Sequence, residues 1–239
     1  MRALLLAAGR GTRLRPVTDT IPKCLVPIGG RPLLGLWLDR LFAGNAIEHA
    51  VVNTHYLAEQ VEAFVAASPW RDRVTLVHEE ELLGTGGTLL NVRQHLGTGA
   101  VLMAHADNLT DIDIAAFQRA HARRPRAALM TMALFETDSP QSCGIVECDG
   151  EGLVTAFHEK VANPPGRLAN AAVYILEPDV IDIAAALGKP VVDFSTEIIP
   201  RLSGRIYTFP IEGYHRDIGS PEALALANRE WPRAAGAGE

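Results

Sequence analysis

Leu6-Ala7-Ala8-Gly9-Arg10-Gly11-Thr12-Arg13-Leu14-Arg15-Pro16 is the stretch on which the fold turns. It follows Ala3-Leu4-Leu5, and the apolar run ends at Gly9-Arg10-Gly11, too short for a secretory leader and better read as a buried first strand. Glycines directly after a strand let backbone N–H groups approach anionic oxygens, and Arg13 and the later Lys23 add fixed positive charge. The run is therefore read as a phosphate cradle. A dinucleotide fingerprint would need a third glycine where Leu14 stands, and a P-loop would need Gly-Lys-Ser/Thr, so both of those readings fail. The remaining alternative is a glycine turn with solvated arginines.

Outward from this stretch, strand-like and helix-like patterns alternate. Strands are expected at 3–7, 50–53, 74–78 and 100–104, and helices at 33–42, 57–67 and 88–96. Such alternation predicts the α/β class: a three-layer, doubly wound, mostly parallel (mixed) sheet with right-handed crossovers and ligands at the strands' carboxyl ends. The second half is more β-rich, with strands expected at 127–135, 144–147, 153–159 and 171–176 and a hairpin turn at Asp149-Gly150-Glu151-Gly152. Helical patterns return at 178–187 and 195–202, then a strand at 206–209 and a final helix from Pro221 to about Trp231, with Ser220 as N-cap. One domain over 1–233 is expected, with the alternating half within 1–125 and the more β-rich half within 126–233, followed by a frayed tail over 234–239.

The chain has 239 residues, 22 Lys+Arg against 28 Asp+Glu, and a formal net charge of −6. That balance argues against a general nucleic-acid footprint, so any anion site is built locally. Cys24, Cys143 and Cys148 have neither metal-like nor redox-motif spacing and read as reduced thiols. With no apolar run of membrane-spanning length, the expectation is a cytoplasmic protein without a membrane partner.

Gly9-x-Gly11-Thr12-Arg13-Leu14, with Pro16 and then Pro22-Lys23, resembles the signature of sugar-1-phosphate nucleotidyltransferases, and the resemblance extends over nearly the whole chain. It implies a Rossmann-like nucleotidyltransferase fold with a small β-rich sugar-binding part, 1–125 being mainly the nucleotide-binding half and 126–233 mainly the sugar-binding half. It also implies that Ala7, Ala8, Gly9, Gly11, Thr12 and Arg13 meet a nucleoside triphosphate, while Lys23 lies between triphosphate and sugar phosphate. Arg13 and Lys23 are the implied catalytic cations. Leu83-Gly84-Thr85-Gly86-Gly87 resembles the segment holding base and ribose, with Gly84, Thr85 and Gly87 as candidates; taken alone, these glycines equally suit a helix-entry turn.

Asp107 follows the expected strand 100–104, in His105-Ala106-Asp107 where the family usually carries Asn-Gly-Asp. A carboxylate there suits Mg²⁺, a hard cation held by one or two carboxylates plus substrate phosphates, and the resemblance also sets Asp107 beside the nucleotide. The alternative is a helix cap. His105 reads as a packing or hydrogen-bonding residue. Asp217, in Arg216-Asp217-Ile218-Gly219-Ser220-Pro221, matches the late family motif and is the second implied metal ligand; alone it suits a turn. Asp111-x-Asp113 has the form of a glycosyltransferase carboxylate pair but is read as the acidic opening of a helix.

In the β-rich half, Cys143-Gly144-Ile145, Phe157-His158-Glu159-Lys160 and Leu168-Ala169-Asn170-Ala171-Ala172 resemble the family's sugar-phosphate segments. The resemblance assigns Gly144, Glu159 and Asn170 to the sugar and Lys160 to its phosphate. Val161 and Ala172 stand where proline and glycine are common, and Glu159 and Lys160 by themselves would read as solvated charges.

The implied reaction is attack by a sugar 1-phosphate on the α-phosphorus of a nucleoside triphosphate, expelling pyrophosphate. The implied partners are these two small molecules, with a homo-oligomer possible. The Leu83-Gly84-Thr85-Gly86-Gly87 segment and the overall length resemble short guanylyltransferases acting on manno-configured sugar 1-phosphates, which implies GTP with mannose or manno-heptose 1-phosphate; UTP with glucose or N-acetylmuramate 1-phosphate is the alternative. Competing classes are a glycosyltransferase using Asp111 and Asp113, and a nucleotide-sugar sensor without catalysis. Without hexapeptide periodicity, no appended acyltransferase repeat is expected.

Overall fold

A computed structural model describes residues 1–44 and 46–235. In chain order the elements are β1 (Arg2–Leu6), β2 (Pro27–Ile28), β3 (Arg31–Pro32), α1 (Leu33–Phe42), β4 (His49–Thr54), α2 (Ala58–Ala67), β5 (Val74–His78), α3 (Gly84–Asn91), β6 (Val101–His105), β7 (Asn108–Thr110), α4 (Ile114–Arg123), β8 (Met130–Glu136), β9 (Gly144–Cys148), β10 (Val154–Glu159), β11 (Leu168–Leu176), α5 (Pro178–Ala185), β12 (Ile206–Pro210), β13 (His215–Asp217) and α6 (Pro221–Ala235). Helices and a mixed sheet place the chain in the α/β class expected from its sequence. Two compact units are present: Met1–Leu82 with Ala104–Ile114 and Gly213–Glu239, and Leu83–Met103 with Ala115–Glu212.

In the first unit, β4 pairs in parallel with both β1 and β5. Ala3, Leu4 and Leu5 of β1 and Ala50, Val51 and Val52 of β4 are fully buried, as the continuous apolar runs require for strands covered on both faces. Helix α1 buries Leu33, Leu34, Trp37, Leu38, Leu41 and Phe42 on one face at helical spacing. Three-residue strands β7 and β13 pair antiparallel, and the Trp37 indole donates to the Asn108 carbonyl at 2.8 Å, anchoring the small ladder to α1. Helix α6 starts as expected, with Ser220 Oγ accepting from the Ala223 amide at 3.2 Å. It continues through Ala235, past the expected start of the tail; residues 236–239 of that tail lie outside the described residues.

In the second unit, β11 pairs antiparallel with β8 and β9, β9 with β10 antiparallel, and β12 with β8 in parallel. Three expectations are corrected here. The helix expected at 88–96 runs instead over Gly84–Asn91, followed by a 3₁₀ turn at Arg93–His95. Its glycine-rich start holds because the Val192 carbonyl accepts from the Gly86 and Gly87 amides, which a helix N-terminus otherwise leaves open. The helix expected at 195–202 is a wide turn over Phe194–Ile198 and a 3₁₀ turn over Ile199–Leu202, since Pro200 lacks the amide a regular helix needs. Strand β11 begins at Leu168 rather than 171, and its register with β8 shifts between Asn170 and Tyr174.

Candidate functional site

In the first unit the glycine loop is held at its base. The Ala7 amide donates to Asn53 Oδ1 at 2.7 Å, and Asn53 Nδ2 donates to Glu79 Oε1 at 3.1 Å. Gly11 has φ +61°, and a Cβ on it would lie 2.9 Å from Thr18 Cγ2 and 3.1 Å from Lys23 Cβ, so only glycine lets the loop close over these residues. Thr18 Oγ1 donates to the Gly11 carbonyl at 2.8 Å. A 3₁₀ turn over Thr12–Leu14 buries Leu14 and leaves the Arg13 side chain 73% exposed.

Lys23 opens another 3₁₀ turn, over Lys23–Leu25, and its side chain is almost entirely covered. Nζ donates to Asp107 Oδ2 at 2.6 Å and to Asp217 Oδ1 at 3.3 Å. Burial works against the ammonium, but the two carboxylates outweigh it and hold its pKa above the ordinary lysine value. The protein around Asp107 likewise opposes its charge, yet Lys23 and His105 bring its pKa below the usual range. Arg13 Nη2 approaches Asp217 Oδ2 at 3.9 Å. Gly219 makes this approach possible, for a Cβ there would lie 2.8 Å from Arg13 Nη2 and 3.0 Å from Asp217 Oδ2.

Asp107 does not cap a helix: strand β7 follows it directly. Asp217 is the last residue of β13. The neighbouring His215 is kept neutral, burial pushing its pKa down to about 3 against the opposing pull of Asp107. Asp111 and Asp113 face the Arg40 guanidinium instead, and the Asp111 carboxylate fills the space beside Gly213, with Oδ1 2.1 Å from where a Cβ would stand.

Two carboxylates converging on one ammonium offer hard oxygen donors, and this chemistry fits Mg²⁺. Among the described residues no group of three His, Cys, Asp or Glu side chains forms a complete metal cage. The pair can therefore supply two ligands, with substrate oxygens or water completing the shell.

The second unit carries the other expected residues. A Cβ on Gly84, whose φ is +73°, would lie 2.6 Å from the Val192 carbonyl oxygen, and one on Gly87 would lie 2.4 Å from that of Pro190. Thr85 Oγ1 accepts from the Phe194 amide at 2.8 Å. The open sides of these glycines are thus filled by the 190–192 backbone.

Gly144 pairs with Glu159 across β9 and β10; a Cβ on it would lie 2.4 Å from the Phe157 ring and 2.7 Å from Glu159 Oε2. Lys160 Nζ lies 3.1 Å from Glu159 Oε1, and Lys160 takes a left-handed φ of +49° with its amide donating to the Cys143 carbonyl. Asn170 Nδ2 donates to the buried Tyr174 hydroxyl at 2.7 Å, and its Oδ1 accepts from the Ala172 amide at 2.9 Å. Ala172 has φ +52°, a glycine-like conformation at a position where the family usually has glycine. Asn53, Glu79, Gly219 and Tyr174 were not singled out from sequence. Only Gly219 carried a signal, its place in Asp217-Ile218-Gly219.

A family model described as nucleotidyl transferase matches residues 2–233. The chain belongs to the nucleotidyl transferase family. This family member is 36% identical over 236 residues to a mannose-1-phosphate guanylyltransferase of Mycobacterium tuberculosis, covering 97% of the present chain and 64% of that protein. It is 30% identical to a glucose-1-phosphate thymidylyltransferase of Streptomyces griseus, covering 96% of the chain and 65% of the relative. The nucleotidyl transferase chain thus spans just under two thirds of the length of these relatives. HddC from Yersinia pseudotuberculosis superposes with a TM-score of 0.81 over 96% of the chain and 99% of its own, at 24% identity, a likeness of fold.

Proposed function

We propose that this nucleotidyl transferase joins a nucleoside monophosphate, from GTP, to mannose or manno-heptose 1-phosphate, releasing pyrophosphate. The observation that carries the reading is Lys23 Nζ held between Asp107 and Asp217 at 2.6 and 3.3 Å, with Arg13 beside them. The 36% identity to a mannose-1-phosphate guanylyltransferase supports the choice of base and sugar.

A sugar 1-phosphate is already an anionic nucleophile, so the chemical problem is repulsion between phosphates rather than activation by a base. In this reading Gly9, Gly11 and Thr12 present backbone donors to the triphosphate, beside Ala8 and Ala7 at the strand end, the Ala7 amide itself staying with Asn53. Arg13 and Lys23 neutralise charge gathering at the α-phosphorus. Gly84, Thr85 and Gly87 belong to the segment receiving base and ribose. Gly144, Glu159 and Asn170 receive the sugar, and Lys160 its phosphate. Asp107 and Asp217 would hold Mg²⁺, which when bound shields the phosphates and steadies the departing pyrophosphate.

The test is pyrophosphate release by purified protein with Mg²⁺, crossing GTP, UTP, dTTP, CTP and ATP with mannose, manno-heptose, glucose and N-acetylmuramate 1-phosphates. Release with GTP and a manno-configured partner is expected. Preference for UTP with glucose or N-acetylmuramate 1-phosphate would replace the substrate pair, and nucleotide binding without release from any pair would remove the catalytic reading.

A further inference from the structure

Arg10 stands between the two loop glycines, and its Nη2 lies 3.4 Å from Nε2 of His55, just beyond β4. The other ring nitrogen fixes the tautomer: Nδ1 is 2.8 Å from the Glu79 carbonyl oxygen, which can only accept. Nδ1 therefore carries the hydrogen, and Nε2 offers its lone pair to the guanidinium. The imidazole directs the arginine through a lone pair, whereas Lys23 and Arg15 face carboxylates, that of Asp19 lying 3.1 Å from Arg15. Among the described residues Arg10 forms no ion pair of its own.

The His78 ring lies nearly parallel to that of His55, with centroids 6.4 Å apart, and Glu59 and Glu62 of α2 line the groove that His55 and His78 share. The Glu79 side chain is engaged with Asn53. The Arg10 guanidinium at the edge of the glycine loop is held through the imidazole to the Glu79 backbone carbonyl.

We propose that Arg10 is a further polyphosphate-binding residue and that His55 is the positioning residue that aims it. This rests on the nucleotide reading of the glycine loop. Calorimetric titration with GTP and, separately, inorganic tripolyphosphate tests it without requiring turnover, using Arg10→Ala, His55→Ala and the double variant. Loss of one charge-assisted contact predicts about tenfold weaker binding of both probes by Arg10→Ala. His55→Ala should lose part of that affinity, and the double variant should bind no more weakly than Arg10→Ala.

His55→Gln, whose amide oxygen reaches the Nε2 position, should retain most of the affinity, whereas His55→Asn, which replaces only Nδ1, should behave as His55→Ala. Unaltered binding by Arg10→Ala, multiplying losses in the double variant, or no binding of either probe by the unmodified protein would each overturn the proposal. Arg10-dependent binding without pyrophosphate release from any substrate pair would instead remove the transfer reading and leave this one standing.

Discussion

Asp107 and Asp217 are tied together through the backbone as well as through Lys23. Asp217 pairs with Asn108 in the β7–β13 ladder, and the Ile218 amide donates to the Asp107 carbonyl at 3.3 Å. The spacing of the two carboxylates is consequently set by main-chain bonds, which a ligand need not rebuild. Preorganisation of this kind is what electrostatic catalysis of phosphoryl transfer requires.

Removing either carboxylate should therefore affect chemistry more than folding. Asp107→Ala and Asp217→Ala are each expected to lower turnover by about 10²-fold or more. Pyrophosphate release across a Mg²⁺ titration, with circular dichroism to verify the fold, measures this. Normal turnover in a folded variant would take that residue out of the metal role.

Lys23→Met leaves two carboxylates facing each other without the ammonium that separates them. Turnover should fall by about 10²-fold or more, and the Asp107 carboxyl should titrate at higher pH than in the unmodified protein, since its largest opposing charge is gone. Carboxyl NMR titration reads the second effect directly. Lys23→Arg should not restore turnover, because a planar guanidinium does not replace a compact ammonium in the covered space between Asp107 and Asp217.

Much of the scaffold was legible because it rests on local pattern. Helix α1 falls at the expected 33–42, β5 at 74–78, and β1 within a residue of expectation, each marked by apolar spacing or a glycine stop. The β7–β13 ladder was not legible: strands of three residues have no periodicity, and their partners are remote in the chain. The same limit applies to the site. Family resemblance picked out Lys23, Asp107 and Asp217, but their meeting at one ammonium depends on that ladder. Helix α3 was misplaced because its first turn, poor in intrinsic helix formers, is held by the carbonyl of a residue far along the chain.

That remote support makes the glycines of α3 testable by stability alone. Gly87→Ala would bring a methyl to 2.4 Å from the Pro190 carbonyl oxygen, and Gly84→Ala would add a left-handed backbone to a 2.6 Å approach. Each should cost about 1–3 kcal/mol in urea unfolding. Gly166→Ala, with nothing within 4 Å of the added carbon, should stay within about 0.5 kcal/mol. Equal stabilities for all three would show that the 190–192 segment yields freely.

The final prediction concerns a buried histidine to which the proposed chemistry assigns no part. His121 donates from Nε2 to Glu177 Oε1 at 3.0 Å and accepts at Nδ1 from Thr131 Oγ1 at 2.7 Å, while Arg124 also pairs with Glu177. Burial and the Arg124 charge hold its pKa below the ordinary 6.5, although Glu177 pulls the other way. In the unfolded chain the ring gains its proton near 6.5, whereas the folded protein resists it to lower pH. Its contribution to stability is thus full above about pH 6.5 and is lost as pH falls through the folded pKa. Thermal unfolding followed from about pH 7.5 to 5 should show a steeper fall in Tm for the unmodified protein than for His121→Gln, which has no imidazole to charge. Parallel curves for the two proteins would rule out His121 as a source of acid sensitivity.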